Sequence, residues 1–393
     1  MQSFVSVDIS RRAVAGRLLL NKILGIPTLG FYRFWGKTHL RRLLWQSIKI
    51  GEDRLQYHGT AKELFIGFLI ALVIMTVIFT GLGILLGIIS LAGPQLSAVS
   101  SLLNFVVLYC FWQFALYRLW RYRLSRTSLR SIRFYLKGRA MAYMGKVFIW
   151  SVLSVVTLGW AYPKLLAVRA TYMLNNLAFG DQDFHYSGRA AGFYKIYWPL
   201  ILLAQFFVAG ILGFLVISEE LMGAPLEEIE QSIVHVGFLP QVQIAAGVGF
   251  VALSMMFLIA RVQSFKYQVS RIEFAGASFR SELRFRKILL ILVVMGVLGL
   301  VGYALVIGIF VSIATLMQTQ PGVGMAVILG LFLTIYLVMD IVMYLLLFIP
   351  LMKEIGKSLK TDDEDVFAKV ATTSVNSPKY GEGLADALDV GAF

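Results

Sequence analysis

The chain reads as an all-α polytopic membrane protein with six transmembrane helices in three hairpins, two re-entrant or interfacial helices, small cytoplasmic β-hairpins and internal repeats. Three observations predict this class. Hydrophobic residues make up 58% and charged residues 15%, with a mean hydropathy of +0.76, outside the range of soluble globular chains. Six apolar runs are each long enough to cross a hydrocarbon core about 30 Å thick, which takes about 20 helical residues. All 36 Lys and Arg lie in the N-terminal arm, the C-terminal tail or the segments between hairpins, and the positive-inside rule places those parts in the cytoplasm.

Taken in order, residues 1–35 form an N-terminal arm. Arg11, Arg12 and Arg17 precede an apolar run from Leu18 to Phe34. No small-residue cleavage site follows cleanly, so this segment is expected to be retained. A cytoplasmic β-hairpin segment covers 36–63, and the first transmembrane hairpin covers 64–117. Residues 118–195 are a basic cytoplasmic segment holding a second short apolar run (147–162) and another β-hairpin. The second transmembrane hairpin spans 196–260, a further basic segment 261–287, the third hairpin 288–350, and a cytoplasmic tail 351–393. The three connections inside the hairpins, including the acidic stretch from Ser218 to Phe238, contain no Lys or Arg.

The two short apolar runs are flanked by basic residues at both ends. A single crossing would carry one basic flank outward, so each is expected to enter and leave on the cytoplasmic side, as a re-entrant segment or as a helix lying on the surface. They share Thr28-Leu29-Gly30 and Thr157-Leu158-Gly159. The similarity extends further: QSIKIGEDRLQYHGTAKELFIG from residue 46 and NNLAFGDQDFHYSGRAAGFY from residue 175 align Gly51 with Gly180, Leu55 with Phe184, Tyr57 with Tyr186 and Gly59 with Gly188. A looser copy from Arg271 places Phe274 and Phe279 where the first has Ile50 and Leu55. Alternating apolar residues around each turn predict β-hairpins, and the constant offset predicts an internal repeat.

Several stretches together, LQYHGTAKELFIGFL, RYRLSRTSLRSIRF, the Thr157–Pro163 run, FGDQDFHYSG, FRSELR and the ending GLADALDVGAF, resemble the YjgN-like family of bacterial inner-membrane proteins. The resemblance covers most of the chain. It implies an inner-membrane location in a bacterium and brings no activity, cofactor or catalytic residue with it.

Asp340 is the sharpest single feature, because an ionised carboxylate deep in an apolar run costs several kcal/mol. It is expected to be paired or protonated. Tyr336 and Tyr344 stand four residues to either side and share its helical face, giving phenols able to hydrogen-bond it. The chemical reading is a proton or cation site, and the plain one is a hydrogen-bonded packing residue. Asn104, Gln113 and Gln205 lie in the second and third spans and favour interhelical hydrogen bonds over a lined path. Gly81, Gly83 and Gly87, and Gly296, Gly299 and Gly302, predict close helix approach; Pro199 predicts the start of a helix or a kink in it.

A net charge of +14 raises the question of nucleic acid. Arg118, Arg121, Arg123, Arg126, Arg130 and Arg133, interleaved with Tyr117, Trp120, Tyr122 and Phe134, are juxtamembrane. That position favours contact with anionic lipid headgroups over nucleic acid. Cys110 is the single cysteine and lies in an apolar run, so no intrachain disulfide and no Cys/His metal cluster is expected. The four histidines are scattered, and phosphate-loop, nucleophile-elbow and zinc-protease signatures are absent, so no cofactor and no enzyme class is predicted.

From Leu351 onward, lysines give way to acids and then to a Ser/Thr/Asn stretch, which reads as a link. The final GLADALDVGAF is expected to dock on the basic layer. Three functions follow as expectations: a channel- or transporter-like protein; a scaffold binding anionic lipid or a protein partner through its basic layer; and a membrane enzyme acting on lipid.

Overall fold

Short strands alternate with pairs of helices along the whole chain in the computed structural model, which describes residues 2–91, 93–217, 240–363 and 365–371. Strands β1 (Gln2–Ser3) and β2 (Val5–Val7) lead into helices α1 (Arg11–Gly25) and α2 (Arg33–Gln46), then β3 (Ile48–Ile50), β4 (Asp53–Arg54) and β5 (Gln56–Tyr57). The long helices α3 (Ala61–Leu91) and α4 (Pro94–Ser125) are followed by β6 (Thr127–Leu129) and β7 (Ile132–Leu136). A second short pair, α5 (Ala140–Val156) and α6 (Tyr162–Asn175), leads to β8 (Leu177–Phe179) and β9 (Gln182–Tyr186). Helices α7 (Ala190–Ile217) and α8 (Pro240–Val269) are followed by β10 (Ile272–Phe274) and β11 (Ala277–Ser281). Finally α9 (Phe285–Thr319), α10 (Pro321–Val342), a π-helical stretch (Met343–Phe348) and α11 (Ile349–Ser358) end in β12 (Leu359–Thr361).

All the strand pairs are antiparallel, in the orders β1-β12-β11-β10-β9-β8-β7-β6-β5 and β2-β3-β4. The two sheets share their outer strands. Residues 2–7 pair through β1 with β12 and through β2 with β3, while residues 53–57 pair through β4 with β3 and through β5 with β6. Counting each broken strand once, ten strands close into a ring. The expectation of separate small hairpins within an all-α fold is therefore corrected. Strands of two to five residues are too short to be stable as isolated hairpins, and closing the ring pairs the edges each hairpin would leave open.

The ring encloses one apolar core. Inward residues alternate with an outward polar one in Ile132-Arg133-Phe134, and Phe4, Leu129, Phe179, Phe274 and Phe279 meet at the centre. Phe274 lies between Phe184 (4.3 Å between centroids) and Phe367 (5.2 Å). Phe367, Val366 and Val370 belong to the segment expected to be a link. Residues 349–361 instead supply a helix and a strand of the barrel, and 365–370 plug its core. The plug is held where Asp362 accepts hydrogen bonds from the Ser278 amide and hydroxyl, both 2.8 Å, and where the Ala371 amide donates to Asp181. At Gly180 (φ +59°) a Cβ would run into the Ala371 carbonyl. The GLADALDVGAF ending and the Ser218–Phe238 connection lie outside the described residues.

The barrel has two different rims. At the far rim, two-residue turns at 130–131, 180–181 and 275–276 join strands directly, with positive φ at Arg130, Ser131, Gly180, Ala275 and Gly276. At the near rim every connection is a helical excursion that leaves from one strand and returns to its neighbour. Around this rim α2 packs on α3, α4 on α5, α6 on α7, α8 on α9 and α10 on α1, so the helical pairs also form a ring.

Six helical stretches are long and apolar enough to cross a membrane: Ala61–Ile89, Ala98–Ser125, Ala190–Ile211, Gln243–Val269, Phe285–Ile313 and Gly322–Ser358. Their most apolar windows are at most 17% buried, as helices solvated by lipid should be. A Cβ at Gly81, Gly83, Gly87, Gly296, Gly299 or Gly302 would meet nothing within 4 Å. Among the described residues these stripes do not pack helices closely, contrary to expectation. Gly249, against the Phe207 ring, does make such a contact. Pro199 lies inside α7 rather than at its start.

Candidate functional site at the junction of barrel and helices

The two short pairs fold by the same local chemistry. In each, the threonine hydroxyl donates to a carbonyl four residues back (Thr28 to Leu24, 2.7 Å; Thr157 to Leu153, 2.6 Å) and accepts an amide four residues on (Tyr32, 3.2 Å; Ala161, 2.9 Å). Leucine and glycine then turn through positive φ, at 50° and 84° in the first copy and 51° and 95° in the second. Gly30 N and Gly159 N close the turn onto Gly25 O and Ser154 O. This is a C-terminal helix cap in which glycine carries the left-handed residue. The tips are apolar and bare: Leu29 is 89% exposed and Leu158 75%.

Polar ties then fasten these pairs to their ring neighbours. Lys22 Nζ on α1 lies 2.7 Å from Asp340 Oδ2 on α10 and 4.0 Å from the centroid of the Tyr336 ring. Asp340 is thus paired, and its partner is a lysine from the opposite end of the chain rather than the flanking tyrosines. Tyr336 completes the site as a cation–π face. Tyr344 packs against Phe348 instead, at the start of the π-helical stretch that precedes Pro350. A proline inside a continuous helix removes an amide and crowds the preceding turn, and widening that turn turns side chains away from the 3.6-residue spacing.

Gln113, 4% exposed, accepts from Arg169 of α6 (2.9 Å), whose Nε also donates to the Tyr143 hydroxyl (3.3 Å). Tyr109 on α4 bonds Ser151 on α5. Gln205 donates to the Leu158 carbonyl at the tip of the second pair (3.0 Å). Asn104 lies on an exposed face of α4. The predicted polar residues are therefore spread over separate seams of the ring and do not converge on a single path.

The six arginines also separate. Arg126 pairs with Glu63 (3.0 Å), which accepts from the Tyr122 hydroxyl as well (3.1 Å). Arg130 pairs with Asp53 at the far rim, and Arg133 is exposed on the outside of the sheet. Arg118 approaches the Phe114 ring, 6.0 Å from its centroid, and Arg121 is half-buried on the last turns of α4. Arg123 is 4% exposed and faces inward.

Arg123 faces a chamber of about 450 Å³ at the near mouth of the barrel. Its floor is the upper end of the barrel core, Ile48, Ile50, Leu55 and Phe134. Trp45, Trp120, Leu44, Tyr344, Phe348 and Met352 form the walls, and Lys37, Arg41 and Arg123 supply the charge. Among the described residues no carboxylate lines it. Sequence reading singles out Arg123 and Trp120 of this set; Lys37, Arg41 and Trp45 went unread, and the meeting was not legible because the residues come from three separate units. The local field is positive: burial first, then Arg133, Arg42 and Arg126, lower the pKa of His58, which bonds Ser128 (2.7 Å) on the adjoining strand.

A further recurring device went unread in the sequence. The Tyr172 hydroxyl bonds both the amide (3.0 Å) and the carbonyl (2.8 Å) of Arg139, and Tyr267 does the same to Arg189 (2.9 and 3.0 Å). Each clasp fixes the backbone where a strand turns into the next helix. The Gly138-Arg139 and Gly188-Arg189 dipeptides were its visible trace.

The chain belongs to DUF898, described as a bacterial protein of unknown function; the family model matches residues 10–301. No curated protein and no solved structure matches it.

Proposed function

Starting from a family to which no activity is attached, we propose that this protein handles lipid, holding the charged end of an anionic amphiphile in the chamber at the barrel mouth. One observation carries this reading: a single cavity combines apolar walls and floor with basic groups of one sign, at the level where the membrane helices begin. That is the chemistry of a headgroup attached to a hydrocarbon chain. A solute channel is the second reading. The aromatic core and the 365–370 plug fill the barrel axis, so a solute path along that axis would have to displace them.

The same proposal includes a topology. The three long pairs span a bacterial inner membrane, and α1–α2 and α5–α6 dip into it and return, with Leu29 and Leu158 at their tips. The barrel and the N-terminal strand lie on the cytoplasmic side. An excursion that leaves and re-enters one rim makes an even number of crossings, which agrees with the distribution of Lys and Arg. The recurrence of helical pair and strands around the ring is read as internal duplication.

Lipids retained by the full-length protein in mild detergent test the first part. Wild type should keep anionic phospholipid, and Leu44→Trp, which puts a larger ring on a chamber wall, should lose most of it, with folding checked by melting temperature. Unchanged lipid content with a folded Leu44→Trp protein counts against the chamber, and solute flux in lipid vesicles would favour the channel. Cysteines placed at Lys49 and Arg130 should be labelled only from the cytoplasmic side; labelling from outside intact cells would overturn the topology.

A further inference from the structure

We infer that a second site, outside the barrel, binds an anionic phospholipid that carries two phosphate groups. Two open cavities adjoin at Arg189, one beside the α5–α6 pair and the other where α7 begins and α8 ends. One, of about 740 Å³, is lined by Lys146, Lys164 and Arg189; the other, of about 580 Å³, by Arg189, Lys195 and Arg271. Arg189 is common to both, and among the described residues no carboxylate lines either.

These five side chains cluster around carboxylate-free cavities. Arg126, Lys137, Lys287 and Lys360 are each matched by a carboxylate, whereas none of the five is in an ion pair among the described residues. Four of them are held at the base. Lys146 lies over Tyr172 (5.1 Å to the centroid), Lys164 over Trp150 (5.6 Å) and Arg271 over Tyr267 (5.7 Å). The Tyr267 clasp fixes both backbone groups of Arg189, so its guanidinium projects from a held point between the cavities.

A single phosphodiester uses one cavity. Two phosphates on a short linker occupy both and share the central arginine, whose planar fork of donors suits phosphate oxygens. The neighbouring surface identifies the ligand as a lipid rather than a soluble diphosphate. Ile149, next to Trp150 on α5, is 58% exposed, and Trp198 on α7 is 49% exposed. Trp150 itself lines the first cavity, Ile149 is its neighbour on α5 and Trp198 stands one turn beyond Lys195 on α7, so acyl chains would run over these side chains.

The test is native mass spectrometry of the full-length protein titrated with cardiolipin, with phosphatidylglycerol, and with inorganic pyrophosphate as the soluble diphosphate. Wild type should bind cardiolipin roughly tenfold or more tighter than phosphatidylglycerol, from the added basic contacts. Arg189→Ala should abolish that preference, and Lys195→Ala with Arg271→Ala should reduce cardiolipin to the level of phosphatidylglycerol. All these side chains are surface residues, so folding is checked by melting temperature, and the double variant stands if Arg189→Ala is unstable. Leu44→Trp in the barrel-mouth chamber should leave the preference intact, which separates this site from the chamber. Equal affinity for the two lipids, indifference to both variants, or pyrophosphate binding as tight as cardiolipin would each overturn the inference.

Discussion

The two short helical pairs, 11–46 and 140–175, share a turn and differ in how they are fastened. Lys22 stands six residues before Thr28, and Ser151 six before Thr157, so the two occupy the same place on equivalent helices. Each reaches the long helix of the preceding unit. Ser151 meets the Tyr109 hydroxyl, a neutral tie, while Lys22 meets Asp340 in an ion pair. The second pair adds its charge elsewhere, through Arg169 to Gln113, and the first adds the Asn21 amide donating to Gly36 O (3.1 Å). A short-range motif therefore sets the shape of the turn, and the neighbour decides what the seam is made of. The first seam joins the N-terminal unit to the C-terminal one, where the ring of helices closes, and it is the charged one.

The largest effect should come from the base common to both pairs. Phe274→Ala removes a ring that is 1% exposed at the barrel centre and should cost about 3–5 kcal/mol. Hydrogen exchange should then rise in both short pairs together. Loosening of one pair alone would show that they do not share a foundation.

Next comes the seam itself. Lys22→Met leaves Asp340 without its counter-charge among apolar neighbours, and should cost about 2.5–3.5 kcal/mol by membrane-insertion scales. Ser151→Ala, the matching change, should cost about 0.5–1.5 kcal/mol. Adding Asp340→Asn to Lys22→Met should recover most of the loss, measured as a double-mutant cycle in denaturant titrations. A cycle with no coupling energy would reduce the pair to a chance contact.

Glycine tests the likeness rather than the difference. Gly30→Ala and Gly159→Ala each put a Cβ on a left-handed residue, and each should cost about 1–2 kcal/mol. Unequal losses, read from melting temperatures, would mean that the tip environments differ more than the turns do.

The smallest effect depends on pH. His39 lies in the first pair, and the corresponding position in the second is Val168. Burial, then Arg17 and Arg42, lower the pKa of His39 below its ordinary 6.5. Its neutral form is favoured when folded, so its contribution to stability is complete above about pH 6.5 and is lost as pH falls through the lowered value. Acid should loosen α1–α2 slightly more than α5–α6, and His39→Gln should remove that excess. His58 follows the same sign but belongs to the strands, so its share remains in the variant.

Much of this was readable from residue order alone. Runs of apolar residues of spanning length identify helices because a bilayer forces every amide to bond within its own segment. Thr-Leu-Gly identifies a turn because the threonine hydroxyl and the left-handed glycine act within a few residues of each other. The apolar alternation around Gly51 and Gly180 announced strands on the same local grounds. Residue order could not show that those strands close on one another, since the partner of β1 is β12 and the pairing is settled by which edges remain open. It could not name Lys22 as the companion of Asp340, nor bring Lys37, Trp45, Trp120, Arg123 and Met352 around one chamber. Those meetings join units far apart along the chain, and only the packing of the complete ring, which pairs edges and brings charges together, decides them.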